Sequence, residues 1–256
     1  MKRYTQIAIA IIAIIIASFA IYIYLFAEGV IPAKPDILDL PEWVVPIILV
    51  ILLIILGYYY FGDYLRKMEP IPDWGETELW PTDTRSIVSS VLLAIAFTAN
   101  MQITERVDAA TTGGMLMWLG ICFATAWMLV GSTFFGLTGA LLVANINPII
   151  AILTATAPLA PSFFLANMLI SVPAALLLKQ YKTPGEPMSY RMFMTIGIPC
   201  GMLSIIPLFT IWVLLVDLAS NLIVAYTVWG VLMAIPGAFI GYLLCRSIAK
   251  SGVLIT

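Results

Sequence analysis

Histidine is absent, cysteine occurs three times, and charged residues make up only 10% of the chain. The first absence removes Ser–His and Cys–His nucleophilic pairs, histidine-ligated haem and histidine-ligated zinc together. Cys122, Cys200 and Cys245 all fall in apolar runs, where a small buried residue is a simpler reading than a disulfide or a metal ligand. No G-x-x-x-x-G-K-S/T loop is present, so the chain carries no nucleotide-hydrolysing site of that class. No acid pair or Ser–Lys pair marks an intramembrane protease, and no acid or base stands at mid-span to relay a proton or ligate sodium. The expectation is a protein that is not an enzyme and uses no metal or cofactor. A net charge of −2 without a basic cluster gives no case for nucleic acid as a partner.

What remains is apolar sequence. Hydrophobic residues make up 62% of the 256, and the mean hydropathy is +1.06. Soluble domains carry about 25% charged residues, so this chain is solvated mainly by lipid. A membrane span needs about 20 apolar residues, and the pattern predicts eight of them: an all-α membrane protein. Runs at 7–26 and 44–61 form an N-terminal transmembrane hairpin within residues 1–62. A signal peptide is the rival reading of the first run, which is longer than the usual apolar region of such peptides. An acidic, proline-containing linker follows at 63–84 and reads as a solvated connection. Six further spans are predicted at 85–103, 113–130, 137–157, 161–178, 192–216 and 222–245, within a six-helix unit at 85–256.

Basic residues orient membrane helices, because loops rich in Lys and Arg stay in the cytoplasm. An eight-span path puts Lys2, Arg3, Arg66, Lys67, Arg85, Lys179, Lys182, Arg191, Arg246 and Lys250 on one side, with Lys34 and Arg106 opposite. Both termini are therefore expected in the cytoplasm of a multi-pass cell-membrane protein.

Uncharged polar and aromatic residues of the six-helix unit gather toward the outer end. Asn100, Gln102, Glu105, Arg106 and Asp108 lie there, with Asn167 near the start of one span and Asn145 and Asn147 deeper in another. Asp217 and Asn221 flank the last turn, followed by Tyr226 and Trp229. Buried amides in lipid require partners, so these groups face an interior or a cavity. They supply what a small-molecule pocket uses, with Trp118, Tyr226 and Trp229 as an aromatic wall. Each also has a plain alternative: Asn and Thr as glue between helices, Asp217 as a helix cap, and Glu105–Asp108 as an exposed loop. Toward the other end, Ser86, Ser90 and Ala94 repeat every four residues, and Gly131, Gly136, Gly139 and Ala140 mark a turn, as Gly237 and Gly241 mark the last span. Such small faces serve close packing within the chain or docking of another membrane protein.

Three stretches resemble the substrate-binding (S) components of energy-coupling factor transporters. They are Asp83-Thr84-Arg85 leading into a Ser/Ala-rich span, Phe135-Gly136-Leu137-Thr138-Gly139-Ala140 running on to Asn145-Ile146-Asn147-Pro148, and Pro236-Gly237-Ala238-Phe239-Ile240-Gly241-Tyr242 followed by Arg246 and Lys250. The likeness covers the six-helix unit only, and Ser86 and Ser90 stand where the family's docking motif is alanine-based. The resemblance implies capture of a vitamin-like micronutrient from outside and transport through a transmembrane coupling subunit and partner ATPases. The solute contacts expected are Asn147, Asn167, Asp217, Asn221, Tyr226 and Trp229. The partner-docking residues expected are Ser86, Ser90 and Ala94. Scarce pocket charge points to a neutral or weakly charged solute. The alternative is a non-catalytic structural or assembly subunit of a larger membrane complex.

Overall fold

The computed structural model describes residues 67–74, 78–112, 117–155, 157, 160–214 and 220–252. The two spans expected at 7–26 and 44–61 lie outside the described residues, as does Asp217. The described part is helical, in the order α1 (Thr84–Thr112), α2 (Trp118–Thr154), α3 (Ala160–Tyr181), α4 (Tyr190–Met202), α5 (Ile205–Leu214) and α6 (Ser220–Ser251). Five stretches among the described residues are long and apolar enough to cross a membrane: Thr84–Ala110, Trp118–Thr154, Ala160–Tyr181, Tyr190–Phe209 and Tyr226–Ser251. This is the architecture of a multi-pass integral membrane protein.

A straight 37-residue helix would be about 55 Å long at 1.5 Å per residue, far beyond the bilayer core of about 30 Å. Instead α2 breaks at Phe135 (φ −124°, ψ 15°) and Gly136 (φ 51°, ψ −134°). The positive φ at 136 favours glycine. The chain reverses there. A β-carbon at Gly139 would overlap the Gly131 carbonyl, and one at Gly131 would lie 3.0 Å from the Val143 side chain. Residues that far apart meet only if 118–134 and 137–154 run antiparallel as two arms. The reversal falls where Gly131, Gly136, Gly139 and Ala140 predicted it. α4 and the start of α5 together make up one of the five candidate spans, Tyr190–Phe209.

Residues 67–74 and 78–83 of the expected linker are held against the bundle. They form a strap across the end of the bundle where α2 turns. Ile71 is fully buried and exchanges backbone hydrogen bonds with Met188 at 2.9 and 3.0 Å. Trp74 packs edge-on against Phe134, and the Lys182 ammonium lies 4.7 Å from its ring centre. The Leu137 N–H donates to the Leu79 carbonyl at 2.8 Å, and the Thr138 hydroxyl donates to that of Pro81. Lys182 pairs with Asp73 at 2.9 Å. Glu69 takes both Arg246 and Lys250. Asp83 then caps α1, accepting from the Ser86 N–H at 2.9 Å. Burial of Ile71 and Trp74 and cross-chain charge pairing hold down a segment whose composition alone looks solvated.

The first arm of α2 is the central element. Gly197 and Gly201 of α4 pack on Leu129 and Thr125, and Gly237 and Gly241 of α6 pack on the backbone of Cys122 and Ala126. The small residues of α6 thus serve packing within the chain. So do Ser90 and Ala94, both fully buried, while Ser86 is half-buried and takes the Ser90 hydroxyl on its carbonyl at 2.7 Å. The opposite face of α1 exposes Val88, Leu92, Ile95, Ile103 and Val107, which fits contact with lipid.

Two expectations follow. A β-carbon at Gly237 would lie 2.5 Å from the Cys122 carbonyl, against 3.1 Å for the nearest atom at Gly241. Gly237→Ala should therefore destabilise the detergent-solubilised protein by about 1–3 kcal/mol, more than Gly241→Ala, as read by thermal unfolding. At the strap, hydrogen bonds from Lys250 and Arg246 hold the Glu69 carboxyl below its usual value of 4.5. A depressed carboxylate contributes above its unfolded pKa and loses that contribution as pH falls through the folded one. Glu69→Gln at pH 7 should speed exchange of the Ile71 amide about two- to fivefold. The wild type should show the same loosening only below about pH 4.5, after correction for intrinsic exchange.

Candidate functional site

Three polar residues share a layer inside the end of the bundle opposite the strap. Glu105 lies seven residues before the end of α1, Asn147 seven before the end of α2, and Asn167 seven after the start of α3. At 1.5 Å per residue each sits about 10 Å in from its helix end. All are at most 5% exposed. The Asn147 Nδ2 donates to Glu105 Oε1 at 3.1 Å, joining the second arm of α2 to α1.

Asn167 answers a defect. Pro148 has no N–H, so the carbonyl four residues earlier, at Ala144, loses its helical donor. The Asn167 Nδ2 donates to that carbonyl at 3.1 Å from the neighbouring helix. Asp108, one turn beyond Glu105, accepts from the Leu119 N–H at 3.1 Å and the Gly120 N–H at 2.8 Å. It therefore caps the start of α2 from another helix, an anion against the positive end of a helix dipole. A third defect sits between α4 and α5. Pro207 cannot supply the usual helical donor to the Leu203 carbonyl, which accepts from the Ile206 N–H at 3.3 Å instead, and the Ser204 hydroxyl donates to the Gly201 carbonyl at 2.7 Å.

These groups surround a cavity of about 20 Å³ lined by Met101, Gly120, Asn147, Phe163, Asn167 and Ser204, with further apolar walls. That is room for about one water. The Asn147 Oδ1, fully buried at this cavity, has no hydrogen-bond partner in the protein.

Of the solute contacts expected, Asn147 and Asn167 come together here. Tyr226 is half-buried and packs on an apolar cluster that includes the cavity walls Met117, Ile121, Phe163 and Leu208. Trp229 is 51% exposed and does not line the cavity. The side chain of Asn221 lies outside the described residues. Among the partner-docking residues, Ser90 and Ala94 are enclosed by their own bundle. The expected end of the third span at 103 is corrected: α1 runs to Thr112, carrying Glu105 and Asp108 into the interior. Both acids lie toward the end of α1 and not at its middle. Met101 and Ser204 are the residues of the site that the sequence reading did not assign to it, and Glu105 was counted among the outer polar groups but not among the solute contacts.

Compared with known proteins, the chain matches no family model, no curated protein and no solved structure.

The Pro148–Asn167 pairing predicts a coupling. Asn167→Leu should destabilise by about 0.5–1.7 kcal/mol, the usual range for hydrogen bonds between membrane helices. In a Pro148→Ala background the restored N–H at 148 serves the Ala144 carbonyl, and the cost of Asn167→Leu should fall by at least about half. A double-mutant cycle on unfolding free energies measures it.

Proposed function

We propose that this chain is the solute-binding subunit of a multi-component transporter. It captures a small solute at the end opposite the basic strap and relies on partner ATPases. The Asn147 Oδ1 carries the reading: of the buried side-chain atoms without a protein partner among the described residues, it is the one on a residue that lines this cavity. Such an atom costs about 1–3 kcal/mol unless something meets it, and a ligand group does so. The size of the cavity limits what enters to one small group of a solute. A larger solute enters as α5 moves about the break at Leu203–Ser204. The basic end faces the cytoplasm in this reading, by the Lys/Arg bias. The ATPase partners rest on the resemblance to S components. The absence of an acid or base at mid-span also favours an external energy source.

A structural or assembly subunit is the second reading, favoured by the water-sized cavity. Purification in mild detergent with mass spectrometry of bound proteins and released small molecules separates the two. A retained solute with a coupling subunit and ATPases is the outcome expected. Other membrane subunits with no solute and no ATPase would establish the second reading. Asn147→Leu should weaken retention of the solute at least about tenfold, the loss of one well-made hydrogen bond. Trp229→Ala, on the outer surface, should leave it within about twofold.

A further inference from the structure

We propose that Arg106 binds the phosphate of a phospholipid in the leaflet opposite the strap, and so fixes the depth and rotation of α1. The proposal concerns the lipid-facing side of α1 and is independent of the solute reading.

Depth comes first. Arg85 opens the candidate span beside the strap. At 1.5 Å per residue, the stretch from Arg85 to Arg106 covers about 32 Å, against a hydrocarbon core of about 30 Å. Arg106 therefore reaches the headgroup layer of the far leaflet, and the last residues of α1 lie beyond the hydrocarbon. Rotation comes second. Leu92, Ala96, Ala99, Ile103, Arg106 and Ala110 recur at spacings of three and four and are all exposed. Leu92 and Ile103 are 61% and 67% exposed, so Arg106 stands on the face that meets lipid. It lines an open groove of about 610 Å³ with Gln102, Ile103, Val107 and Ala110.

Charge decides the ligand. The Arg106 guanidinium has no hydrogen bond or ion pair with a described residue. Glu105 and Asp108, close to it in sequence, are buried on the inner face and engaged there with Asn147 and with the Leu119 and Gly120 amides. Every other Lys and Arg among the described residues lies at the strap end. A guanidinium donates and cannot accept, and its planar fork matches phosphate oxygens two at a time. Water fills its hydrogen bonds but leaves its charge unmatched. In the headgroup layer the anion at hand is lipid phosphate. The acyl chains then run back along Ile103, Ala99 and Ala96. A lipid-facing charge deeper in the hydrocarbon is costly, so α1 cannot sink without losing this contact. Glu105, one residue away, is thereby held at the edge of the hydrocarbon on the inner face, and the layer it forms with Asn147 lies at that depth.

The test uses the whole chain in a maltoside detergent, which carries no phosphate. Melting temperature is followed against added dioleoyl phosphatidylglycerol, a galactosyl diacylglycerol with the same chains, and inorganic phosphate. The phospholipid should raise it in a saturable way, the glycolipid less, and inorganic phosphate not at all. Arg106→Gln should raise the half-saturating phospholipid concentration at least about fivefold and leave the glycolipid response unchanged. Arg106→Lys, which keeps the charge without the fork, should raise it about twofold, and it decides the matter if the glutamine variant fails to fold. A phospholipid response equal in the wild type and both variants overturns the proposal. So does a glycolipid that matches the phospholipid in the wild type, because apolar contact alone then explains the rise. Inorganic phosphate that reproduces the Arg106-dependent rise also overturns it, because the ligand is then a free anion and not a lipid.

Discussion

Inside lipid, a backbone group that loses its helical partner has no water to turn to, and this bundle is arranged around that constraint. Pro148 opens a carbonyl within α2, and Asn167 closes it from α3. The first amides of α2 are open by geometry, and Asp108 closes them from α1. The turn at Phe135–Gly136 leaves the Leu137 amide open, and the Leu79 carbonyl of the strap closes it. In each case the group that satisfies the defect comes from a different segment. Satisfying the backbone and choosing the helix neighbours are therefore one event. A proline in the middle of a span here strengthens a tertiary contact, because the freed carbonyl has somewhere definite to go.

Shape does the rest. Between helices in lipid there is little hydrophobic driving force, so close contact has to supply the attraction. The first arm of α2 obtains it from glycines on both neighbours: Gly197 and Gly201 on α4, Gly237 and Gly241 on α6. The same arm carries Phe134, against which the strap lays Trp74. On α1 the two faces divide cleanly, with Ala94, Phe97 and Met101 inside and Leu92, Ile95 and Ile103 outside. Helix packing, strap and polar layer thus meet on one hairpin.

Much of this was legible in the residues. The apolar runs of the six-helix unit pointed to its long apolar helices, and the glycines around 136 to the reversal of α2. The placement of Asn147 and Asn167 in one region followed from depth along their spans. Glu105 was named as an outer polar group but its burial on α1 was not found, because charge was taken as the end of a span. Yet the buried positions 90, 94, 97, 101, 104, 105 and 108 continue one helical face without a break. That period, followed past Ile103, carries Glu105 and Asp108 inward. The strap was invisible for a different reason. Its acids and prolines have the composition of a loop, and only the partners Arg246, Lys250, Lys182 and Met188, more than a hundred residues away, make it structure.

The two ends of the bundle hold their polar groups in opposite ways. At the strap, ion pairs, a backbone bridge and a buried tryptophan act in parallel, so losing any one leaves the others in place. At the other end the contacts are in series. Glu105 on α1 meets the Asn147 amide on α2, the Oδ1 of that amide meets the cavity, and the cavity reaches Ser204 at the break before α5. A ligand in the cavity completes that series, and an empty cavity leaves it open at one atom. Segments joined in series respond to occupancy, whereas segments joined in parallel do not. On the solute-binding reading proposed above, movement on binding would fall to α5 and its break rather than to the strap and central hairpin.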